Sequence, residues 1–181
     1  MKAHPTALEG VIKLEPNLFH DARGYFYEAY HLKKFESLGI KWNIQQINQS
    51  YSRPKVVRGL HYQLGPAQAK LVRVLRGDIL DVAVDLRRGS PNFGKHVKMT
   101  LRAEDHTHLL IPAGFAHGFY AFTEAEVLYL QSCLYDPSLE RGVRWDDPSL
   151  SIDWPDQSPS LSDKDQSLPQ LNEISPEDLP L

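Results

Sequence analysis

The feature that most limits what this chain can fold into is a two-residue hydrophobic alternation, repeated in short runs through its middle. Val97, Met99 and Leu101 alternate with His96, Lys98, Thr100 and Arg102, and Leu80, Val82, Val84 and Leu86 alternate with Asp81, Ala83 and Asp85. Successive side chains of a strand point to opposite faces, so such runs are strands with one buried face. Further strands are expected over residues 8–14 and 40–51, and over 70–76, which Gly77-Asp78 would join to 79–86 as a tight hairpin. In the last long strand Val127, Tyr129, Gln131 and Cys133 share one face. Residues 31–38 read as the one helix, with Leu32, Phe35 and Leu38 at helical spacing and Gly39 as its stop. Short strands punctuated by Gly and Pro around a single helix predict an all-β antiparallel sandwich or barrel.

At 181 residues the chain is expected to form one domain, residues 1–181, with a core that needs no staples. A net charge of −3 argues against general binding to nucleic acid or an anionic membrane surface. The single cysteine, Cys133, excludes an internal disulfide framework and suits a reducing cytoplasm. No apolar run approaches membrane-spanning length, so a cytoplasmic location with no membrane partner is expected. From Asp146 onward Pro, Ser and Asp dominate, and residues 169–181 read as a loosely packed tail.

The chemistry concentrates in Arg58-Gly59-Leu60-His61-Tyr62-Gln63, followed by Lys70. On a strand, His61 shares a face with Gln63 and not with Leu60, which aims an imidazole at the polar side between two cations. Pro112-x-Gly114-x-x-His117 resembles the second motif of the cupin superfamily. Metal-binding cupins add a His-x-His and a following Glu, whereas here His61-Tyr62-Gln63 runs to Lys70 with no carboxylate. One imidazole per motif beside an ammonium is a poor transition-metal site, so no metal is expected. A metal-free polar barrel can still run acid–base chemistry. His61 near neutral pH is a base, Asp165 can orient its other nitrogen, Tyr129 can return a proton, and Lys70 can stabilise an oxyanion. Together these suit deprotonation of a carbon next to a ketone and reprotonation from the opposite face. Taken singly, Tyr129 reads as a packing residue, Lys70 as exposed and Asp165 as a loop residue. Those roles alone do not choose an epimerase over a ligand-binding barrel.

The whole set, from Leu8 to Asp165, closely resembles the dTDP-4-dehydrorhamnose 3,5-epimerase family. The carriers are Asp21-Ala22-Arg23-Gly24-Tyr25-Phe26-Tyr27-Glu28, Gln46-Ile47-Asn48, the Arg58–Gln63 hexapeptide, Lys70-Leu71-Val72-Arg73 and Ile111 to Gly118. Val127-Leu128-Tyr129, Glu140 before Gly142, Trp145 to Pro148 and Leu161-Ser162-Asp163-Lys164-Asp165 complete them. The resemblance implies a metal-free, cofactor-independent cupin-type double-stranded β-helix (jelly roll) with one or a few short helices, normally a homodimer. The implied activity converts dTDP-4-dehydro-6-deoxy-D-glucose to dTDP-4-dehydro-L-rhamnose by inversion at C3 and C5, a step toward L-rhamnose. His61 would be the proton acceptor paired with Asp165, Tyr129 the donor, and Lys70 the neighbour of the C4 oxygen. Arg23, Glu28, Gln46, Asn48, Arg58, His117, Glu140 and Lys164 fall on substrate-contacting positions, and Phe26 with its neighbouring tyrosines can stack on thymine. In the family, the segment around Arg23 and Glu28 reaches toward the neighbouring subunit's site. The alternatives are a mono-epimerase acting at C3 or C5 of a related dTDP-4-ketosugar, a metal-dependent cupin enzyme, and a non-catalytic barrel that binds nucleotide-sugars.

Overall fold

The computed structural model describes residues 1–41 and 43–181. Its strands are β1 (Lys2–Pro5), β2 (Ile12–Glu15), β3 (Phe19–Asp21), β4 (Gly24–Phe26), β5 (Gln46–Ser52), β6 (Val57–Gln63) and β7 (Lys70–Arg76). They continue as β8 (Asp78–Asp85), β9 (His96–Arg102), β10 (His108–Ile111), β11 (Phe115–Ala121), β12 (Ala125–Gln131) and β13 (Glu140–Gly142). Helix α1 (Leu32–Ser37) follows β4 and helix α2 (Asp163–Gln166) follows β13. One sheet runs β1-β2-β10-β7-β12-β5, a second runs β13-β6-β11-β8-β9, and β3-β4 form a separate hairpin. The two large sheets pack face to face as an antiparallel jelly roll, the all-β antiparallel architecture expected from the pattern and the cupin-type fold that the family resemblance implied.

Three local expectations are corrected. Residues 8–14 become strand only from Ile12, because Thr6 closes a turn by donating from Oγ1 to the carbonyls of Leu8 and Val11. Of residues 40–51, only Gln46 onward is strand, and Trp42 within that span lies outside the described residues. Gly77-Asp78 is not a hairpin. β7 pairs with β10 and β12, β8 pairs with β9 and β11, and the turn is a corner leading from one sheet to the other. Gly77 has φ +74°, and a Cβ there would collide with the Glu124 carbonyl, so glycine serves the corner as well as it would serve a reversal.

The main core lies between the sheets, with Val72, Val74 and Val127 from one facing Ile79, Leu101, Phe115 and Phe119 from the other. Each such buried side chain contributes roughly 1.5–3 kcal/mol relative to exposure. Followed along the strands, these inward faces change character. Val74 and Val72 give way to Lys70 on β7, Val127 to Tyr129 and Gln131 on β12, and Phe119 to His117 on β11. One end of the jelly roll is therefore a dry core and the other a polar cavity.

The outward faces are covered too. Helix α1 seats Phe35 against Leu71, Leu110 and Leu130, and the C-terminal segment covers the five-stranded sheet with Trp145, Leu150 and Trp154. Residues 169–181, expected to pack loosely, instead continue this cover. Leu171 and Ile174 pack on the same cluster, the Tyr62 hydroxyl donates to the Asp178 carbonyl at 2.7 Å, and Arg141 Nε pairs with Asp178 Oδ1 at 2.7 Å. The Pro- and Ser-rich composition hid a few apolar residues spaced to seal a sheet. No helix among the described residues is long and apolar enough to cross a membrane.

Candidate active site

The polar end encloses a cavity of ≈ 400 Å³ walled by both sheets. On its β6–β11 wall two backbones approach closely. Gly59 has φ +119°, the peptide bond after it is cis, and a Cβ at this position would lie 2.6 Å from Gly118 Cα and 2.7 Å from the His117 carbonyl oxygen. Only glycine admits this approach of β6 to β11, which sets His61 and His117 opposite each other across the strand pair.

His61 comes from β6 and its partner from α2. Its Nε2 donates to Asp165 Oδ1 at 2.6 Å, and the Gly59 N–H donates to Asp165 Oδ2 at 3.3 Å. Helix α2 exists locally because Ser162 caps it, accepting from the Asp165 N–H at 3.1 Å. Asp165 is only 4% exposed. Burial raises its carboxyl pKa, but the His61 hydrogen bond and charge, with the Gly59 N–H and Ser162, outweigh that and hold it below the usual carboxylate range. A carboxylate accepts only, so it fixes the Nε2–H tautomer and leaves the Nδ1 lone pair of His61 as the basic position.

Tyr129 enters from β12 in the facing sheet. Its hydroxyl shares a 2.9 Å hydrogen bond with Ser50 Oγ on β5, and its ring meets His117 edge-on at 6.1 Å between centroids. Burial pushes its phenol pKa up, so it carries its proton at any working pH. Lys70, which composition alone would have left in solvent, is only 8% exposed and donates to the His61 carbonyl at a long 3.4 Å. Burial pushes its ammonium down to about 8 against the charges of Asp81 and Glu140. His117 Nε2 donates to Asp81 Oδ2 at 2.9 Å, and burial drives this imidazole toward its neutral form.

Around the mouth, Arg58 donates from Nε to Ser52 Oγ and from Nη2 to the Tyr51 carbonyl, both at 2.9 Å, holding its guanidinium at the rim. Glu140 accepts from the Tyr135 hydroxyl at 2.5 Å and from Lys164. Asn48 also lines the cavity. Gln46 stands outside it, tied to Asn48 Oδ1 at 2.9 Å and to the Tyr135 N–H at 2.8 Å.

Arg23, Phe26 and Glu28 are not brought into this cavity. The β3–β4 hairpin that carries the first two pairs with neither large sheet. The Arg23 side chain is 90% exposed and bonded to Asp21, Phe26 is 67% exposed, and Glu28 is engaged by Lys34.

Sequence reasoning gave no site role to Ser50, Gln68, Asp81, Gln131 or Tyr135. Ser50 carried a signal, since it continues the Gln46, Asn48 alternation onto the same strand face. Asp81 carried none, since beside the apolar Leu80, Val82 and Val84 it falls on the face that reads as exposed, and only the fold turns that face inward. Among the described residues no three His, Cys, Asp or Glu side chains gather as a metal centre.

A family model described as dTDP-4-dehydrorhamnose 3,5-epimerase matches residues 5–173. The dTDP-4-dehydrorhamnose 3,5-epimerase of Pseudomonas aeruginosa is 50% identical over 169 residues, covering 92% of this chain and 93% of that one. The crystal structure of a dTDP-6-deoxy-D-glucose-3,5-epimerase from Legionella pneumophila, in complex with dTDP-4-keto-L-rhamnose, superposes with a TM-score of 0.96 at 42% identity. The match covers 99% of this chain and 97% of that one. A relative from Streptomyces niveus, 41% identical over 92% of this chain and 82% of its own length, is named dTDP-4-dehydrorhamnose 3-epimerase. The family match over nearly the whole chain, together with a cavity that joins His61, Asp165, Tyr129 and Lys70, leads to one conclusion: this chain belongs to the dTDP-4-dehydrorhamnose 3,5-epimerase family.

Proposed function

We propose that this chain inverts C3 and C5 of dTDP-4-dehydro-6-deoxy-D-glucose to give dTDP-4-dehydro-L-rhamnose. The observation that carries the reading is an imidazole and a phenol on facing sheets of one cavity that also holds a buried ammonium. His61 Nδ1 takes the proton from the carbon next to the C4 ketone, and the Asp165 carboxylate stabilises the imidazolium that forms. Lys70 meets the oxygen of the enolate, where a desolvated cation acts most strongly. Tyr129 delivers a proton from the other sheet, and so to the other face of the sugar ring. Both carbons lie α to the same ketone, so one site serves both in turn. Arg58 is the diphosphate contact, and Asn48, His117, Glu140 and Lys164 hold sugar or nucleotide, while Gln46 braces Asn48 from outside the cavity. In heavy water, purified enzyme and ketosugar should give product with deuterium at both C3 and C5. Label at one carbon only would reassign the chain to the mono-epimerases.

The reading extends to a homodimer. Arg23, Phe26 and Glu28 sit on an exposed arm away from their own cavity, which suits contact with the nucleotide in a second copy's cavity. Sedimentation equilibrium should return twice the chain mass; a monomer at working concentrations would reject the arrangement.

A further inference from the structure

Two carboxylates line the cavity and a third is buried behind its wall against His117, and the two that line it are fully engaged. Asp165 is bound to His61 and the Gly59 N–H, and Glu140 to Lys164 and Tyr135. The third, Asp81, is 0% exposed and spends only Oδ2, on His117; its Oδ1 has no hydrogen-bond partner among the described residues. An unsatisfied oxygen on a buried carboxylate is costly, and such a group persists where a function holds it. Lys70 is the complementary case, a buried ammonium with three donors and a single long hydrogen bond.

We propose that Asp81 is a positioning residue for the epimerisation argued above, on which this inference rests: its carboxylate orients His117 and keeps the Lys70 ammonium charged at the cavity wall. A neutral amine at Lys70 would offer the enolate oxygen a weak hydrogen bond in place of a full charge. The titratable groups facing Lys70 are His61 on β6, Asp81 on β8, His117 on β11, Tyr129 on β12, Cys133 beyond β12 and Glu140 on β13; Arg58, Lys164 and Asp165 line the same cavity. Tyr129 keeps its proton and His117 is driven neutral, while Glu140 and Asp165 already have cationic partners. Asp81 is the buried carboxylate with an oxygen left unpartnered, and its charge reaches the under-bonded Lys70 ammonium through the low-dielectric wall, by its field and not by a hydrogen bond. On β8 it is bonded to His117 on the adjacent strand β11, and His117 lines the cavity together with Lys70.

The test is the alkaline limb of the kcat/KM profile, measured on the intact enzyme. Asp81→Asn keeps an acceptor for His117 Nε2–H and removes the charge. The limb should move to lower pH by about one unit, a tenfold change in proton concentration. A merely structural loss would lower activity at every pH and leave the limb where it was, which would overturn the proposal. A second measurement needs no substitution. In the native chain labelled with carbon-13, the Asp81 Cγ shift should step at the pH where the Lys70 Cε signal titrates. An Asp81 signal that ignores the Lys70 transition overturns the coupling even if Asp81→Asn does not fold. Because this titration needs no substrate, it stands apart from the isotope experiment. Absence of exchange in the native enzyme would remove the epimerase reading and leave the coupling to be judged by NMR.

Discussion

His61→Asn should slow deuterium incorporation at both C3 and C5 by roughly 10³-fold, about 4 kcal/mol of barrier, while binding of dTDP changes little. Asparagine is close to imidazole in reach, and its amide can still donate to Asp165, so the β6–α2 junction and the cap on Asp165 persist. What disappears is the lone pair at Nδ1. The remaining neutral or anionic groups do not replace it. Asp165 is held below the usual carboxylate range and is turned to β6, Glu140 is paired with Lys164, and His117 spends its Nε2–H on Asp81. Exchange at both carbons would stop together, because both protons leave to the same base. The readout is mass spectrometry of recovered sugar nucleotide after incubation in heavy water. Survival of exchange at either carbon at near-native rate would remove His61 from that role.

Tyr129→Phe should separate exchange from inversion. The ring stays, so the packing edge-on to His117 is kept, and Ser50 loses its hydroxyl partner. The enolate still forms at His61 and Lys70, but the donor on the opposite sheet is gone. Protons then return from His61 to the face they left, giving deuterated starting material, while formation of the inverted sugar falls by about 10²-fold or more. KM should move far less than kcat, the pattern of an interaction made only in the transition state. NMR of the product mixture distinguishes retained from inverted centres. Native turnover with native stereochemistry would show that another group is the acid.

Much of this site was legible in the chain because it rests on period-two alternation and short motifs. That alternation identified β9 over its full span, and β8 to within one residue at each end. It also put His61 and Gln63 on one side of β6 and Tyr129 and Gln131 on one side of β12. The Ser-Asp-Lys-Asp stretch proved to be a capped turn of helix aimed back at β6. Asp81 escaped notice because one carboxylate among apolar neighbours reads locally as the exposed face of a strand. Its depth depends on a second sheet covering that face.

From the residues alone came most of the long strands, helix α1 and the chemistry of base, acid and ammonium. These are local properties, set by side-chain direction along a strand and by which groups titrate. The folded molecule alone decided that β7 and β8 part company at Gly77, that the tail seals the five-stranded sheet, and that Lys70 and Asp81 are both buried. It also turned the arm with Arg23 and Phe26 outward, away from the cavity of its own chain. Each of those outcomes depends on which distant surfaces shed water against each other. Burial, and the electrostatics that burial creates, belong to residues far apart in sequence, and no window along the chain contains both partners.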